Sequence, residues 1–246
     1  MMMIDDHHGG LLVMKQRFGV VVVAAAKGTR MGTTESKQYL LLQDKPVLVH
    51  TLEVFQAAPE CESIVLVTGA QDRARCRAWV KQYGLTKVRD IRAGGKERQD
   101  SVYEGLKAIE SYGLELVLIH DGVRPFVQQS HIRACCEAAH AHGAAVLAVP
   151  VKDTIKQVNE HGVITATPDR NSLWAIQTPQ AFRLDVVMKA HHEARRCDRT
   201  GTDDAMLVEQ MGVPVQVVEG DYSNVKLTTP EDLWFAEWWL ARTSLL

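Results

Sequence analysis

Four short apolar runs, each followed by a segment with helical spacing, constrain this chain more than any other feature. Phe18 to Ala26, Ser63 to Thr68, Leu114 to His120 and Ala144 to Val149 are continuous stretches of β-branched, aliphatic or small residues. Strands buried on both faces read this way, because neither face has to carry polar side chains. Between them a helix is expected from Pro46, with Val47, Leu48, Thr51, Leu52, Val54 and Phe55 forming its apolar face. Proline suits that first turn because its missing N–H has no partner to lose. Further helices are expected over about 72–83, 99–109, 130–142, 183–196 and 203–211, with a last one from Pro230. Short strands are expected over 87–92 and 215–218. Strands alternating with helices predict an α/β fold: a three-layer, Rossmann-like, mostly parallel sheet with right-handed crossovers.

One stretch breaks the alternation. Val151 to Val158 and Val163 to Thr167 alternate apolar with polar residues around Asn159-Glu160-His161-Gly162, which is hairpin chemistry. A two-stranded hairpin is marginal alone, so a protruding arm that packs against a second subunit is expected. The length of 246 residues suits a single domain, expected over 18–246. The polar, aperiodic start, 1–17, is expected to be a disordered leader outside the fold. A net charge of −2 gives no whole-molecule attraction to nucleic acid or anionic membrane, so any polyanion must be held by a local cluster of cations. The longest apolar run, Val20 to Ala26, is too short to span a bilayer. The five scattered cysteines include no CxxC pair and suit free thiols in a reducing cytoplasm.

In an open parallel sheet, ligands gather beyond the carboxyl ends of the strands. After the first strand come Ala24, Ala25, Ala26 and Gly28, whose backbone N–H groups are open to phosphate oxygens, together with Lys27, Arg30 and Lys37. The loop matches neither the Walker A nor the dinucleotide pattern. Its alternatives are a phosphate pocket and a basic solvated turn. Asp121, at the end of the third strong strand, is either a Mg²⁺ ligand or the cap of a turn before Gly122. His120 reads as a strand-end histidine satisfied by backbone. The pairs His7-His8 and His191-His192 cannot each present both rings to one metal, since adjacent side chains point apart.

Taken in order, several motifs resemble the 2-C-methyl-D-erythritol 4-phosphate cytidylyltransferase family. They are Ala24-Ala-Ala-Lys-Gly-Thr-Arg-Met31, Ser36-Lys-Gln-Tyr39, Gly94-Gly-Lys-Glu-Arg-Gln-Asp-Ser101 and His120-Asp-Gly-Val-Arg-Pro125, then Val151-Lys-Asp-Thr154 and Asp169-Arg-Asn-Ser-Leu-Trp174. Gln177-Thr-Pro-Gln180, Thr202-Asp-Asp204, Asn224-Val-Lys226 and Pro230-Glu-Asp232 complete the series. The resemblance implies the nucleotide-diphospho-sugar transferase type of fold and a cytidylyltransferase of non-mevalonate isoprenoid biosynthesis. It would join 2-C-methyl-D-erythritol 4-phosphate to CTP with Mg²⁺ and release pyrophosphate. It also implies roles. Arg30 and Lys37 would stabilise charge at the α-phosphate and leaving pyrophosphate, and Arg170 and Lys226 would hold the attacking phosphate. Ala24, Ala25, Gly28, Gly95 and Ser101 would surround the nucleotide. Asp121, Arg124, Thr154 and Thr178 would form the acceptor pocket, with Asp121 also facing the metal. A homodimer is implied, with the arm over 151–170 carrying Thr154 and leading to Arg170 across the interface. Lys96 falls at a variable position and is given no role. The alternatives are a ribitol 5-phosphate cytidylyltransferase and a non-catalytic nucleotide-binding protein of the same fold.

Overall fold

The structure, a computed structural model, describes residues 16–26 and 36–243. Its centre is a seven-stranded sheet built from β1 (Phe18–Ala24), β4 (Cys61–Thr68), β5 (Val88–Ala93), β6 (Leu116–Asp121), β7 (Ala144–Pro150), β10 (Trp174–Arg183) and β11 (Gln216–Glu219). The strand order is β11-β7-β10-β6-β1-β4-β5. The pairs β1–β4, β1–β6, β4–β5 and β7–β11 are parallel, whereas β10 runs antiparallel to both β6 and β7. The sheet is therefore mostly parallel, as expected, with one reversed strand near its middle.

That strand is the main element the sequence did not disclose. Gln177, Thr178, Pro179 and Gln180 sit in its interior, and such a polar, proline-containing run argues against a central strand. The irregularity is local: pairing with β7 shifts register between Ile176 and Gln180, so the proline lies where the ladder is already interrupted.

Alternation along β1 shows how the layers form. Val20 and Val22 enter a core shared with Leu48 and Phe55 of α1 (Val47–Ala57), Cys76 of α2 (Arg73–Gln82) and Ile132 and Cys135 of α4 (Gln129–His142). Val21 faces the other way, onto Val102 and Leu106 of α3 (Arg98–Glu110), Val187 of α5 (Leu184–Arg196) and Leu207 of α6 (Asp204–Glu209). Gly105 lets α3 lie close against the sheet, since a Cβ there would stand 2.3 Å from Val21 Cγ1. A third cluster joins Val47 and Val123 to Leu227 and to Ala236 of α7 (Pro230–Thr243). It also takes in Leu42 from the small ribbon of β2 (Leu41–Leu42) and β3 (Lys45–Pro46).

The arm is slighter than the alternation predicts. Only β8 (Gln157–Val158) and β9 (Ile164–Ala166) pair, antiparallel, and Val151 to Ile155 forms no strand. Its turn follows the expected chemistry. Asn159 Oδ1 accepts from the amides of His161 and Val163, both at 3.0 Å, and Gly162 takes a left-handed φ of 76°. The proposed leader falls in 1–15, outside the described residues, apart from residues 16 and 17.

Candidate active site

The carboxyl ends of β1, β5 and β6 border a cavity of about 390 Å³ lined by Ala24, Ala25, Ala26, Lys37, Gly95, Ser101, Asp121 and Lys226. Lys96, Glu97, Arg98, Gln38 and Val123 complete most of its wall. Of the expected site residues, Gly28 and Arg30 lie outside the described residues, as does Lys27.

Each wall is fixed by hydrogen bonds that the local sequence supplies. Lys37 opens a short 3₁₀ turn, Lys37–Tyr39, in which the buried Gln38 donates to the carbonyls of Ala24 at 2.8 Å and Ala26 at 3.3 Å. One side-chain amide thus sets the path of the chain out of β1. On the opposite wall, the Ser101 hydroxyl donates to the Glu97 carbonyl at 3.1 Å and accepts from the Gly95 amide at 3.2 Å. Gly94 anchors this loop to β4 through its amide and the Thr68 carbonyl, 2.8 Å apart. A Cβ on Gly94 would stand 2.4 Å from Ala25 Cβ, so the two small-residue loops meet only because this position has none.

The floor is Asp121. Arg98 Nε lies 3.5 Å from Oδ1, and Arg124 Nε and Lys226 Nζ lie 3.6 and 2.9 Å from Oδ2. Burial works to raise this carboxyl's pKa, but Arg98, Lys226 and Arg124 outweigh it and hold the group well below the ordinary carboxylate range. Asp121 is an anion at any physiological pH.

Behind it, Thr178 Oγ1 accepts from the Asp121 amide at 3.0 Å and lies 3.1 Å from His120 Nδ1. His120 Nε2 is 3.0 Å from the Arg124 carbonyl, which can only accept. Nε2 therefore carries the ring proton, and Nδ1 accepts the Thr178 hydroxyl. Burial pushes the His120 pKa down to about 4, so the ring stays neutral. The strand-end histidine is satisfied by backbone on one side, as expected, and by Thr178 on the other. The Thr178 proton is committed to the interior.

Lys226 is placed by its neighbours. The Leu227 amide donates to the Val123 carbonyl at 2.9 Å, and Asn224 donates to Gln177 Oε1 at 2.9 Å and the Thr178 carbonyl at 3.0 Å. Arg124 in turn donates to the Asn224 carbonyl at 2.7 Å.

The structure thus brings together Ala24, Ala25, Gly95, Ser101, Lys37, Asp121 and Lys226, with Arg124 and Thr178 immediately behind. It does not bring Thr154 or Arg170 to the cavity wall of this single chain. Both are exposed, and Arg170 donates to the Lys152 carbonyl at 2.9 Å. Arg98 and Gln38 were the residues that sequence reasoning left without a role. Lys96, also passed over, lines the cavity.

Among the described residues no three His, Cys, Asp or Glu side chains gather into a metal site. Asp121 supplies one carboxylate, and both its oxygens face cations. One carboxylate suits a divalent cation ligated mainly by substrate phosphates and water, not one held by protein alone.

Comparison with known proteins adds the chemistry. The model of the 2-C-methyl-D-erythritol 4-phosphate cytidylyltransferase family matches residues 18–242. The protein of that name from Alkaliphilus metalliredigens is 50% identical over 215 residues, covering 87% of this chain and 89% of its own. The one from Geobacillus kaustophilus is 50% identical over 221 residues, covering 89% and 95%. Among solved structures, 4-diphosphocytidyl-2C-methyl-D-erythritol synthase from Anaerococcus prevotii superposes with a TM-score of 0.80 at 32% identity, covering 93% of this chain and 97% of that one. The 2-C-methyl-D-erythritol 4-phosphate cytidylyltransferase from Thermus thermophilus does so with a TM-score of 0.75 at 32% identity, covering 92% and 100%.

Proposed function

This chain belongs to the 2-C-methyl-D-erythritol 4-phosphate cytidylyltransferase family, and we propose that its strand-end cavity is where CTP meets that acceptor. The reaction is cytidylyl transfer in non-mevalonate isoprenoid precursor biosynthesis. A phosphate oxygen of the acceptor attacks the α-phosphorus of CTP, and the bond to the bridging oxygen breaks with its electron pair leaving on pyrophosphate. Such transfer needs positioning and charge neutralisation rather than a protein nucleophile.

The observation that carries this reading is the convergence, in one cavity, of two small-residue loops with Lys37, Lys226 and Asp121. Ala24, Ala25, Gly95 and Ser101 leave space and backbone groups for the nucleotide. Lys37, with Arg30, takes the charge growing on the α-phosphate and leaving group. Lys226, with Arg170, holds the attacking phosphate. Arg124 and Thr178 serve the acceptor side by fixing Asp121, since both are tied to it. Magnesium, when bound, would neutralise charge on the phosphate oxygens, and Asp121 is the carboxylate of this chain that would face it.

A homodimer completes the site in this reading. The arm over 151–170 leaves Val158, Val163 and Ile164 exposed by 58%, 59% and 57%, an apolar strip open to solvent in the single chain. A second copy packed there would deliver Thr154 and Arg170. The cytoplasm suits the five cysteines, all of which are free.

Pyrophosphate release tests the reading. It is expected only when CTP, magnesium and 2-C-methyl-D-erythritol 4-phosphate are all present. CTP binding without turnover of any polyol phosphate would instead favour a binding protein of the same fold.

A further inference from the structure

Three cations surround Asp121, and they are not held alike. Arg124 is tethered a second time, to the Asn224 carbonyl at 2.7 Å. Arg98 is also tethered a second time, through Nη1 to Asp204 Oδ2 at 2.7 Å. Lys226 has Asp121 as its ion-pair partner, and its side chain is 39% exposed against 29% for Arg98 and 10% for Arg124. Two of the three are thus fixed and the third can leave.

The tether on Arg98 is built deep in the molecule. The Asp204 side chain is 1% exposed, and its other oxygen accepts from His191 Nε2 at 3.1 Å. A carboxylate buried this completely requires a partner cation, and Arg98 and His191 hold Asp204 well below the ordinary carboxylate range against the effect of burial. The start of α3 is aimed just as firmly. Glu97 and Asp100 form a reciprocal capping box. Gln99 donates to the Arg199 carbonyl at 3.1 Å and accepts from the Gly201 amide at 3.0 Å. Arg98 thus runs from a fixed helix start to a fixed internal anion, and its Nε edge faces Asp121 in the cavity.

When Lys226 moves to a substrate phosphate, Asp121 loses its nearest cation on Oδ2, while Arg98 stays beside Oδ1. We infer that Arg98 is a positioning residue that keeps Asp121 aimed into the cavity at that moment, with Asp204 and His191 as its anchor. This rests on the role of Lys226 proposed above.

Removing Arg98 alone strands Asp204, so the test pairs Arg98→Gln with Asp204→Asn, which deletes both charges together. The pair is expected to stay folded, with pyrophosphate release down about 10²-fold, the scale of a misplaced catalytic group. Arg98→Lys, which keeps a cation for Asp204 but cannot fork to both carboxylates, is expected to lose activity with its melting temperature nearly kept. Adding Asp121→Asn to the pair is expected to leave turnover within about threefold of Asp121→Asn alone, as coupled sites require. Wild-type turnover by the paired variant or by Arg98→Lys would reduce Arg98 to a partner for Asp204 and overturn the inference. Multiplying losses in the triple variant would overturn it too, because Arg98 would then act independently of Asp121. Failure of the wild-type protein to turn over would be a failure of the proposed function instead.

Discussion

At the scale of single residues, the site separates groups by what they must keep and what they must release. Lys37 and Lys226 face the cavity, whereas Arg124, Thr178 and His120 are spent on holding Asp121 and its strand end. Lys37→Ala is expected to lose about 10²–10³-fold in kcat with CTP affinity much less changed, as for removal of a preorganised charge. Rapid-quench measurement of pyrophosphate together with CTP titration separates the two. Arg170→Ala is expected to raise the acceptor KM while CTP still binds. Untouched acceptor kinetics would sink the idea that the arm reaches a neighbouring site. His120 makes a pH prediction. Its folded pKa of about 4 lies below the ordinary 6.5, so the unfolded chain binds more protons between those values. Its contribution to stability is complete above pH 6.5 and is lost as pH falls toward 4, by about 3 kcal/mol from the size of the shift. Urea melts of His120→Gln are expected to show lower stability at pH 7 but a flatter loss down to pH 4. Asp121 titrates lower still, because its shift is downward from the carboxylate range.

At the scale of elements, the site depends on two loops meeting through Gly94. Gly94→Ala would place its Cβ 2.4 Å from Ala25 Cβ, so CTP binding is expected to fall steeply while the melt changes little. A melt lowered as much as Gly105→Ala, where overpacking against Val21 costs about 1–3 kcal/mol, would mean that the loops are structural rather than a nucleotide cradle. The strands around this pair were legible because their side chains face a core on both sides, as Val20 to Val23 do. The reversed strand β10 was not, since Gln177 to Gln180 spend their polar groups on Asp221, Asp121, Asn224 and Asp203 rather than on water. No period of 2 or 3.6 marks such a segment. Asp121 and Lys37 could be found from their place after strands. Arg98 could not, because its partner Asp204 lies 106 positions away in the chain and nothing local marks the pair.

At the scale of the whole molecule, a chain of net charge −2 brings two anionic substrates together. It can do so only by gathering cations at the carboxyl ends of the sheet's strands and, in the dimeric reading, borrowing others from a partner's arm. Ile164→Asp on that arm is expected to shift the sedimenting species from dimer to monomer and to abolish turnover while leaving the sheet folded. Full activity in a monomer would refute the borrowed Arg170. Every role assigned to these residues depends on which acceptor receives the cytidylyl group. The most direct measurement supplies CTP and magnesium with equal 2-C-methyl-D-erythritol 4-phosphate and ribitol 5-phosphate in one reaction, and weighs the cytidine diphosphate products by mass spectrometry. The methylerythritol product is expected almost alone, with one pyrophosphate per product. Predominant ribitol product, or no cytidylyl product at all, would contradict it.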